Sequence, residues 1–290
     1  MIAVVRNPDQ ASEGALVRAG RRLLGHRLGR IGVVISFIVC FAAAFAPWVA
    51  PFDPAGIDYN AILAQPNLKY WLGTDEIGRD ILSRLIDGAR VSIQIVILAI
   101  GLAFIMGTLI GITSGYFGGV VDDVLMRIAD GLLAFPTLVL VLAIVAVLGP
   151  DMINAIVAIA IVNLPGFARL VRAQVLSIRE LDFVQAARAL GANDCRIMFR
   201  HVFPSVLGNV MVYASLRAST ALITESSLSF LGLGVQPPVA SWGGMLSTGM
   251  QYWDAWWMSI FPGAAIFLTA LGLNFLGDGA RDALDSRLED

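Results

Sequence analysis

The sequence has little charge and almost no lysine. Only 14% of its 290 residues are charged and 57% are hydrophobic, whereas about a quarter of the residues in a soluble domain are charged. The single lysine, Lys69, precedes Tyr70, and no glycine-rich loop comes before it. A phosphate-binding loop requires Gly-x-x-x-x-Gly-Lys followed by Ser or Thr. The composition therefore indicates an integral membrane protein, and any ATP that drives it is hydrolysed on another chain.

Candidate catalytic and metal-ligating residues are equally scarce. Of the two cysteines, Cys40 falls in an apolar run and Cys195 in a polar stretch, which argues against a disulfide. The two histidines, His26 and His201, stand apart from any cluster of ligands, so no metal site is predicted. The polar stretches of the sequence contain no recognisable catalytic triad and no pair of carboxylates suited to acid–base catalysis. We therefore expect no catalytic residue, no bound cofactor and no enzymatic activity in this chain.

Uncharged or nearly uncharged runs of membrane-spanning length dominate the sequence. About 20 apolar residues are needed to cross the hydrocarbon core of a bilayer as a helix. A cleaved signal peptide competes for the first run, but that run exceeds the 7–15 apolar residues typical of a signal. We predict an all-α integral membrane protein with six transmembrane helices, which fall in residues 31–50, 91–121, 134–148, 152–168, 205–227 and 255–277.

The distribution of basic residues predicts an orientation. With both termini in the cytoplasm, 15 of the 20 basic residues lie on the inner side and four on the outer side, as the positive-inside rule requires. A disordered tail is the alternative to an amphipathic segment for the first dozen residues. The predicted organisation is a cytoplasmic amphipathic segment 1–30, a first transmembrane helix 31–50, an extracytoplasmic segment 51–90, a five-helix core 91–280 with a polar loop 169–204, and a cytoplasmic tail 281–290.

The extracytoplasmic segment carries the pattern of an amphipathic helix over residues 71–90. Apolar residues recur there at helical spacing, and Asp80 and Arg84 are spaced for an i, i+4 ion pair. We interpret this stretch as a helix on the outer surface, with Asp75 and Glu76 near its positive end. The alternative is contact with a docked partner through a charged cluster: Asp75, Glu76, Arg79 and Asp80.

The longest stretch of mixed polarity, residues 182–204, reads as two short helices broken at Gly191. Glycine supplies the backbone freedom that a helix C-terminus requires. Asn193 or Asp194 can cap the second helix, which we expect to end by Pro204. An amphipathic hairpin that lies on the membrane surface is the structural alternative.

This stretch resembles the cytoplasmic coupling loop of ABC-importer permeases. The family pattern is Glu-Ala-Ala, then Gly, then His-x-x-Pro, and it stands here at Gln185, Ala186, Ala187, Gly191, His201 and Pro204. Gln185 departs from the usual Glu, although the spacing is kept. Further segments resemble permeases of dipeptide, oligopeptide and nickel importers that have an extra N-terminal span: LGTDEIGRD from residue 72, GYFGG from 115, SWGGML from 241 and GDGARDALD from 277.

The resemblance implies a type I ABC-importer permease fold with a cytoplasmic coupling helix, in the bacterial inner membrane. It implies an importer that works by alternating access. The substrates it implies first are di- or oligopeptides, and nickel or another small solute of the same family is the alternative. The implied partners are a homologous permease chain, two ATPase subunits that hold ATP and Mg²⁺, an extracytoplasmic binding protein and the bilayer, with no nucleic acid. An ion-gradient-driven secondary transporter and a non-transporting scaffold are the hypotheses from other classes.

Two charged residues stand inside the predicted fifth span. Arg217 and Glu225 lie eight residues apart on about the same helix face, about 12 Å from each other, which is too far for an ion pair. Charged side chains within membrane helices normally face protein or water. We expect this pair to line the translocation pathway or a subunit interface. The alternative is that Glu225 has reached the outer surface and Arg217 extends toward the interface.

Overall fold

The computed structural model describes residues 25 and 27–284, and their regular structure is helical. The predicted segment 1–30 and tail 281–290 therefore lie mostly outside the described residues. Five helices are long and apolar enough to cross a membrane. They are α1 (Arg27–Ala44), α3 (Ile81–Phe117), α6 (Met152–Ile178), α9 (Phe203–Phe230) and α11 (Trp257–Leu284). The shorter helices are α2 (Ala46–Val49), α4 (Gly119–Leu133), α5 (Thr137–Leu148), α7 (Asp182–Ala189), α8 (Asp194–Ile197) and α10 (Trp242–Gly249).

A sixth crossing depends on α4 and α5, which are bent by 93° relative to each other. The predicted third span, 134–148, corresponds only to the second limb of this pair. The chain leaves the helical conformation before Pro136, whose ring disfavours helical geometry at the preceding residue. The twelve residues of α5 measure about 18 Å, less than the roughly 30 Å of a hydrocarbon core. The two limbs together are therefore needed for one crossing.

The segments that connect the long helices lie at two ends of the bundle. At one end, which we call the loop end, α3 finishes beside the residues that follow α6, and Arg179 Nη1 donates to the Gly115 carbonyl over 2.8 Å. At the other, which we call the outer-segment end, residues 50–80 meet residues 231–257 through a bond from Trp257 Nε1 to the Thr74 carbonyl. The loop 179–202 and the segment 51–80 therefore lie at opposite ends.

Helices α3 and α6 run parallel and pack closely at the centre of the bundle. The contact follows three glycines spaced four residues apart: Gly107, Gly111 and Gly115. A Cβ atom on Gly111 would lie 2.5 Å from the Ala168 carbonyl oxygen, and one on Gly107 would lie 2.5 Å from Phe167 Cβ. Small residues let membrane helices approach this closely. We call these three glycines the glycine ladder. Their close contacts hold α3 and α6 together as one unit.

The predicted surface helix over residues 71–90 is wrong in its first half. Residues 71–80 form turns, and α3 begins at Ile81, because the Asp80 carboxylate caps the helix by accepting from Ser83 N over 2.8 Å. The capping role also excludes the expected pair with Arg84, whose Nε lies 3.5 Å from Asp75 instead. From Ile81 the helix continues for 37 residues into the membrane-spanning part. This single element is about 55 Å long.

Two tryptophans join the outer segment to the bundle. Trp242 of α10 donates its Nε1–H to the Leu85 carbonyl over 2.9 Å, and Trp257 donates to Thr74 over 3.0 Å. Both rings are buried, whereas Trp253 and Trp256 are exposed. Tryptophans near a membrane surface are typical of an interfacial aromatic belt, but Trp257 is a core residue. Sequence position alone did not separate it from its exposed neighbours.

Candidate functional site

The break predicted at Gly191 is present, and it ends α7. Gly191 has φ +79°, which side chains with a Cβ rarely adopt. Its N–H donates to the Arg188 carbonyl over 3.0 Å, and the N–H of Ala192 donates to Ala187 over 3.1 Å. These two bonds form the Schellman motif that satisfies the last carbonyls of a helix. The chain therefore turns sharply between the two short loop helices.

The second loop helix continues into the fifth span, contrary to the expectation that it ends by Pro204. Asn193 caps α8 by accepting from Arg196 N over 2.8 Å. A wider turn, with a bond from Phe203 N to the Met198 carbonyl, then joins it to α9. Pro204 stands in the first turn of α9, directly after this wider turn, where proline is tolerated. Residues Asp194–Phe230 consequently form one apolar helical unit.

The loop turns apolar side chains outward. Val184 and Ile197 are fully buried and hold α7 and α8 on the bundle. In contrast, Phe183 and Phe199 are about half exposed, and Leu190 is 89% exposed. Large apolar groups at a surface mark an interaction site when they occur together. We call these three side chains the apolar face of the loop.

The six motif residues do not form a chemical cluster. Gln185, Ala186, Gly191 and Pro204 are exposed, whereas Ala187 and His201 are partly buried. The Gln185 side-chain amide donates to the Arg179 carbonyl over 3.0 Å. Their arrangement suits packing against another surface, since none of these contacts prepares a nucleophile or a base.

Sequence reasoning missed a contact that fixes the loop to α3. The Tyr116 hydroxyl donates to Asp194 Oδ1 over 2.6 Å and accepts from Arg188 Nη2 over 3.3 Å. The Arg188 guanidinium also lies 5.6 Å from the centroid of the Tyr116 ring. The hydrogen bond to Tyr116 raises the pKa of Arg188 above its already high value. We call Tyr116, Arg188 and Asp194 the Tyr116 clasp; the tyrosine stands within GYFGG, which entered the sequence analysis only through its family resemblance.

Three arginines assigned to the polar loop belong to α6 or its end: Arg169, Arg172 and Arg179. Arg169 pairs with Asp130, and Arg172 donates two bonds to the Asp122 carboxylate, which also accepts from Ser114. The helix continues to Ile178, ten residues beyond the predicted span. These pairs tie α6 to α3 and α4 at the loop end.

The two charged residues of the fifth span have separate local partners on α9. Arg217 Nε donates to the Tyr213 hydroxyl over 2.7 Å, and its guanidinium stacks 4.9 Å from that ring. Glu225 is 1% exposed and accepts from Ser229 Oγ over 2.9 Å and Ser226 Oγ over 3.3 Å. Glu225 is therefore enclosed within the protein.

Two of the four residues in the charged cluster proposed for partner contact are buried. Asp75 and Asp80 are each 3% exposed, and Asp75 accepts from Arg79 N and Arg79 Nε over 2.8 and 2.6 Å. These two carboxylates order the turns before α3, so they are not available to a docked protein. Glu76 and Arg79 remain partly exposed and line a cavity of about 400 Å³ with residues of α10.

A second tyrosine–aspartate bond lies in the outer segment. The Tyr70 hydroxyl donates to Asp58 Oδ2 over 2.8 Å, and Lys69 Nζ lies 3.0 Å from the same oxygen. The bonds from Tyr70 and Lys69 lower the pKa of the Asp58 carboxyl. Tyr70 is buried to the same extent as Tyr116, with 6% exposed in each case. The two bonds therefore have similar chemistry at opposite ends of the molecule.

Neither cysteine is paired, and both are exposed. Within residues 25 and 27–284, no group of three or more His, Cys, Asp or Glu side chains is arranged to hold a metal ion.

Comparison with known sequences identifies the family. The family described as "Binding-protein-dependent transport system inner membrane component" matches residues 107–290. This chain belongs to that family. The permease also matches, over residues 15–66, the "N-terminal TM domain of oligopeptide transport permease C", which accounts for α1 as the extra span. The predicted ABC-importer permease fold and inner-membrane location are thus confirmed, in a family of transport permeases.

Similar proteins cover almost the whole permease. It is 43% identical to the dipeptide transport system permease protein DppC of Alkalihalophilus pseudofirmus, over 93% of this chain and 90% of that protein. It is 43% identical to the di/tripeptide permease DppC of Pseudomonas aeruginosa, over 91% and 90%. The glutathione permease GsiD of Pectobacterium atrosepticum is 41% identical over 93% and 90%.

Proposed function

We propose that this permease is a transmembrane subunit of an ATP-driven importer for di- or oligopeptides. The observation that carries the proposal is the apolar face of the loop, displayed by two short helices whose buried residues anchor them to the bundle. The partner we assign to this face is an ATPase subunit. The remaining partners are a second, homologous permease chain, a second ATPase and an extracytoplasmic binding protein.

The coupling mechanism acts through position and packing rather than covalent chemistry. ATP and Mg²⁺ bind to the ATPase subunits, whose closure displaces α7 and α8. Since α8 is continuous with α9, this displacement reorients a membrane-spanning helix and alternates access to the pathway. A ligand shifts such an equilibrium only through different affinities for the two states. ATP supplies that difference at the loop end, and the loaded binding protein supplies it at the outer-segment end.

The orientation that this mechanism requires places the loop end in the cytoplasm. The loop end carries the arginines of α6, α7 and α8, whereas the outer-segment end carries few basic residues. This asymmetry supports the proposal through the positive-inside rule. Both termini then lie in the cytoplasm, and the outer cavity faces the binding protein.

Arg217 and Glu225 are proposed to line the pathway or an interface with the second permease chain. A buried carboxyl that is satisfied by two serine hydroxyls on a membrane helix supports a specific role, because such groups are costly to retain in a bilayer. The variants Arg217→Ala and Glu225→Ala should each lower uptake or assembly. Wild-type levels of both would exclude this role.

The substrate class rests on the relatives, whose names specify dipeptides, di/tripeptides and glutathione. These solutes share amide bonds between amino-acid units and charged ends. Nickel or another small solute of the wider family is the alternative. Competition separates them: uptake of a labelled dipeptide by the reconstituted complex should fall with excess di- or tripeptide and remain unchanged with nickel ions. Uptake of nickel without uptake of peptide would contradict the proposal.

Co-purification tests the partner assignment independently of substrate. The tagged permease extracted from membranes should retain an ATPase chain, and replacement of Leu190 by Glu should release it. A matched control is Leu68→Glu, because Leu68 is a fully exposed leucine of the outer segment. Retention of the ATPase by both variants, or its absence from the wild type, would reject the apolar face as the docking surface.

A secondary transporter has weaker support. Ion coupling within a membrane requires an accessible carboxylate. Asp130 is exposed and paired with Arg169, and Glu225 is enclosed by serines. Uptake that is abolished by ionophores in the presence of ATP would favour this second mechanism.

A further inference from the structure

We infer that the Tyr116 clasp is a positioning contact of the transport cycle, through which the coupling loop moves α3 together with α9. The inference rests on the proposed function. It assigns a role to a side chain that lies outside the six motif residues.

The clasp joins both halves of the hinged loop to one side chain. Arg188 belongs to α7 and Asp194 to α8, so the two partners stand on opposite sides of Gly191. Tyr116 comes from the last turn of α3, more than 70 residues earlier in the chain. Any displacement that moves the two loop helices as a pair therefore acts on the end of α3.

Helix α3 can carry such a displacement across the molecule. The glycine ladder holds it against α6 over three successive turns. Its other end is fixed by the Asp80 cap and by the bond from Trp242 to Leu85. These contacts make α3 a stiff element of about 55 Å that links the loop to the outer segment.

Besides its chain connection to α6 and the bond from Arg179 to the Gly115 carbonyl, the loop has two further connections to the membrane-spanning helices. One is covalent, since α8 continues into α9. The other is the clasp, which joins the Arg188 guanidinium and the Asp194 carboxylate of the loop to the Tyr116 hydroxyl of α3. If the clasp is lost, α9 still follows the ATPase while α3 follows less closely. ATP hydrolysis should then proceed with less solute moved per ATP.

The clasp can be weakened without releasing the loop. Val184 and Ile197 remain in the core, and the bond from Arg179 to the Gly115 carbonyl does not involve the tyrosine hydroxyl. Tyr116→Phe removes one oxygen atom and keeps the ring beside Phe117 and Arg188. A structural defect would lower assembly, whereas a coupling defect lowers the transport yield per ATP.

The experiment compares Tyr116→Phe with Tyr70→Phe in the complete complex in liposomes. The control removes a hydroxyl of equal burial that also donates to an aspartate, at the opposite end. We expect peptide uptake per ATP hydrolysed to fall about tenfold for Tyr116→Phe, which corresponds to ~1.4 kcal/mol, close to the lower limit for hydrogen bonds to charged groups. Tyr70→Phe should leave the ratio unchanged. An unchanged ratio for Tyr116→Phe, or an equal fall for both, would overturn the inference.

A double-mutant cycle tests whether Tyr116 acts through Asp194. Asp194→Asn keeps an acceptor oxygen and should produce a smaller fall than Tyr116→Phe. The double variant should be no worse than Tyr116→Phe alone, because both changes remove the same contact. Fully additive effects of the two changes would overturn the inference. If Tyr116→Phe fails to assemble, Asp194→Asn is measured alone, and an unchanged ratio of uptake to ATP hydrolysis would then overturn it.

Hydrogen exchange supplies a readout that does not depend on uptake. Trapping nucleotide on the ATPases should change exchange in residues 71–85 of the wild type, and Tyr116→Phe should suppress that change. Its persistence in the variant would reject the clasp. Absence of ATP-driven uptake by the wild type would instead reject the proposed function, which keeps the two failures distinct.

Discussion

At the scale of single residues, the coupling loop depends on one backbone angle. Gly191 has φ +79°, and a Cβ atom there would meet no other atom within 4 Å. A bulky substitution is therefore opposed by backbone strain of about 1–2 kcal/mol rather than by a clash. We predict that Gly191→Val lowers ATP-driven uptake roughly 5- to 30-fold, whereas Gly191→Asn keeps most of it, because Asn tolerates this conformation.

Uptake by liposomes with equal amounts of assembled complex checks this prediction. Equal loss in both variants would show that the partner surface requires a residue without a side chain. Full activity of Gly191→Val would show that the turn is not needed for coupling.

Gln185 permits a second prediction at this scale. Its exposed amide donates one bond to the Arg179 carbonyl, which a glutamate could not make. Exposed substitutions of this kind change stability by less than about 1 kcal/mol. We predict that Gln185→Glu leaves thermal unfolding and ATPase co-purification near wild type. Loss of the ATPase on this change would mean that the docking interface is misplaced.

Local signals in the sequence predicted the residues whose role depends on their neighbours along the chain. Gly191 ends a helix and Asn193 caps one because those roles need only a few adjacent residues. The Tyr116 clasp and the pairing of Arg84 with Asp75 were not predicted, since each depends on how distant segments fold together. Asp80 had two possible partners. The i, i+4 spacing favoured an ion pair with Arg84, but its carboxylate instead accepts a hydrogen bond from the free backbone N–H of Ser83 at the start of α3.

At the scale of helices, the glycine ladder between α3 and α6 is the feature most open to test. A Cβ atom on Gly111 would lie 2.5 Å from a carbonyl oxygen of α6, whereas one on Gly101 of the same helix would meet nothing within 4 Å. We predict that Gly111→Ala destabilises the permease by about 1–3 kcal/mol through overpacking. Gly101→Ala should be neutral or slightly stabilising.

Thermal unfolding of both variants in the same detergent measures the difference. A similar unfolding temperature for Gly111→Ala and Gly101→Ala would contradict the close approach of the two helices. The measurement also bears on the Tyr116 clasp, because a loose α3 could not carry a displacement over its length.

Helix boundaries were the least predictable part of the fold. Hydropathy located the centres of the spans, but α3 and α6 extend well beyond their apolar runs. Arginines that seemed to end the fourth span are tolerated on α6 because carboxylates of α4 neutralise them. The passage of α8 into α9 was missed because Pro204 normally signals a boundary, whereas its position in a first turn permits continuation.

At the scale of the whole molecule, composition and motif spacing predicted the membrane class and the family. The number of crossings did not follow from hydropathy alone, because α4 and α5 form one crossing only as a bent pair. Neither charge nor hydropathy encodes a 93° bend directly. The position of Pro136 indicated where a bend would fall, but its angle is set by packing.

The two free cysteines allow a test of orientation. Cys195 is exposed in the loop, and Cys40→Ala leaves it as the sole cysteine of the sequence. We predict that a membrane-impermeant maleimide labels Cys195 in permeabilised cells or inverted vesicles and leaves it unlabelled in intact cells. Labelling in intact cells would place the loop end outside and remove the basis for ATPase coupling.

The most direct test of the proposed function is solute uptake with and without the ATPase subunits. Liposomes containing both permease chains, with binding protein and a dipeptide outside, should accumulate the peptide only when the ATPases and hydrolysable ATP are present inside. Accumulation should persist after ionophores collapse ion gradients. Accumulation by the permease chains alone, driven by an ion gradient and independent of ATP, would contradict the proposal.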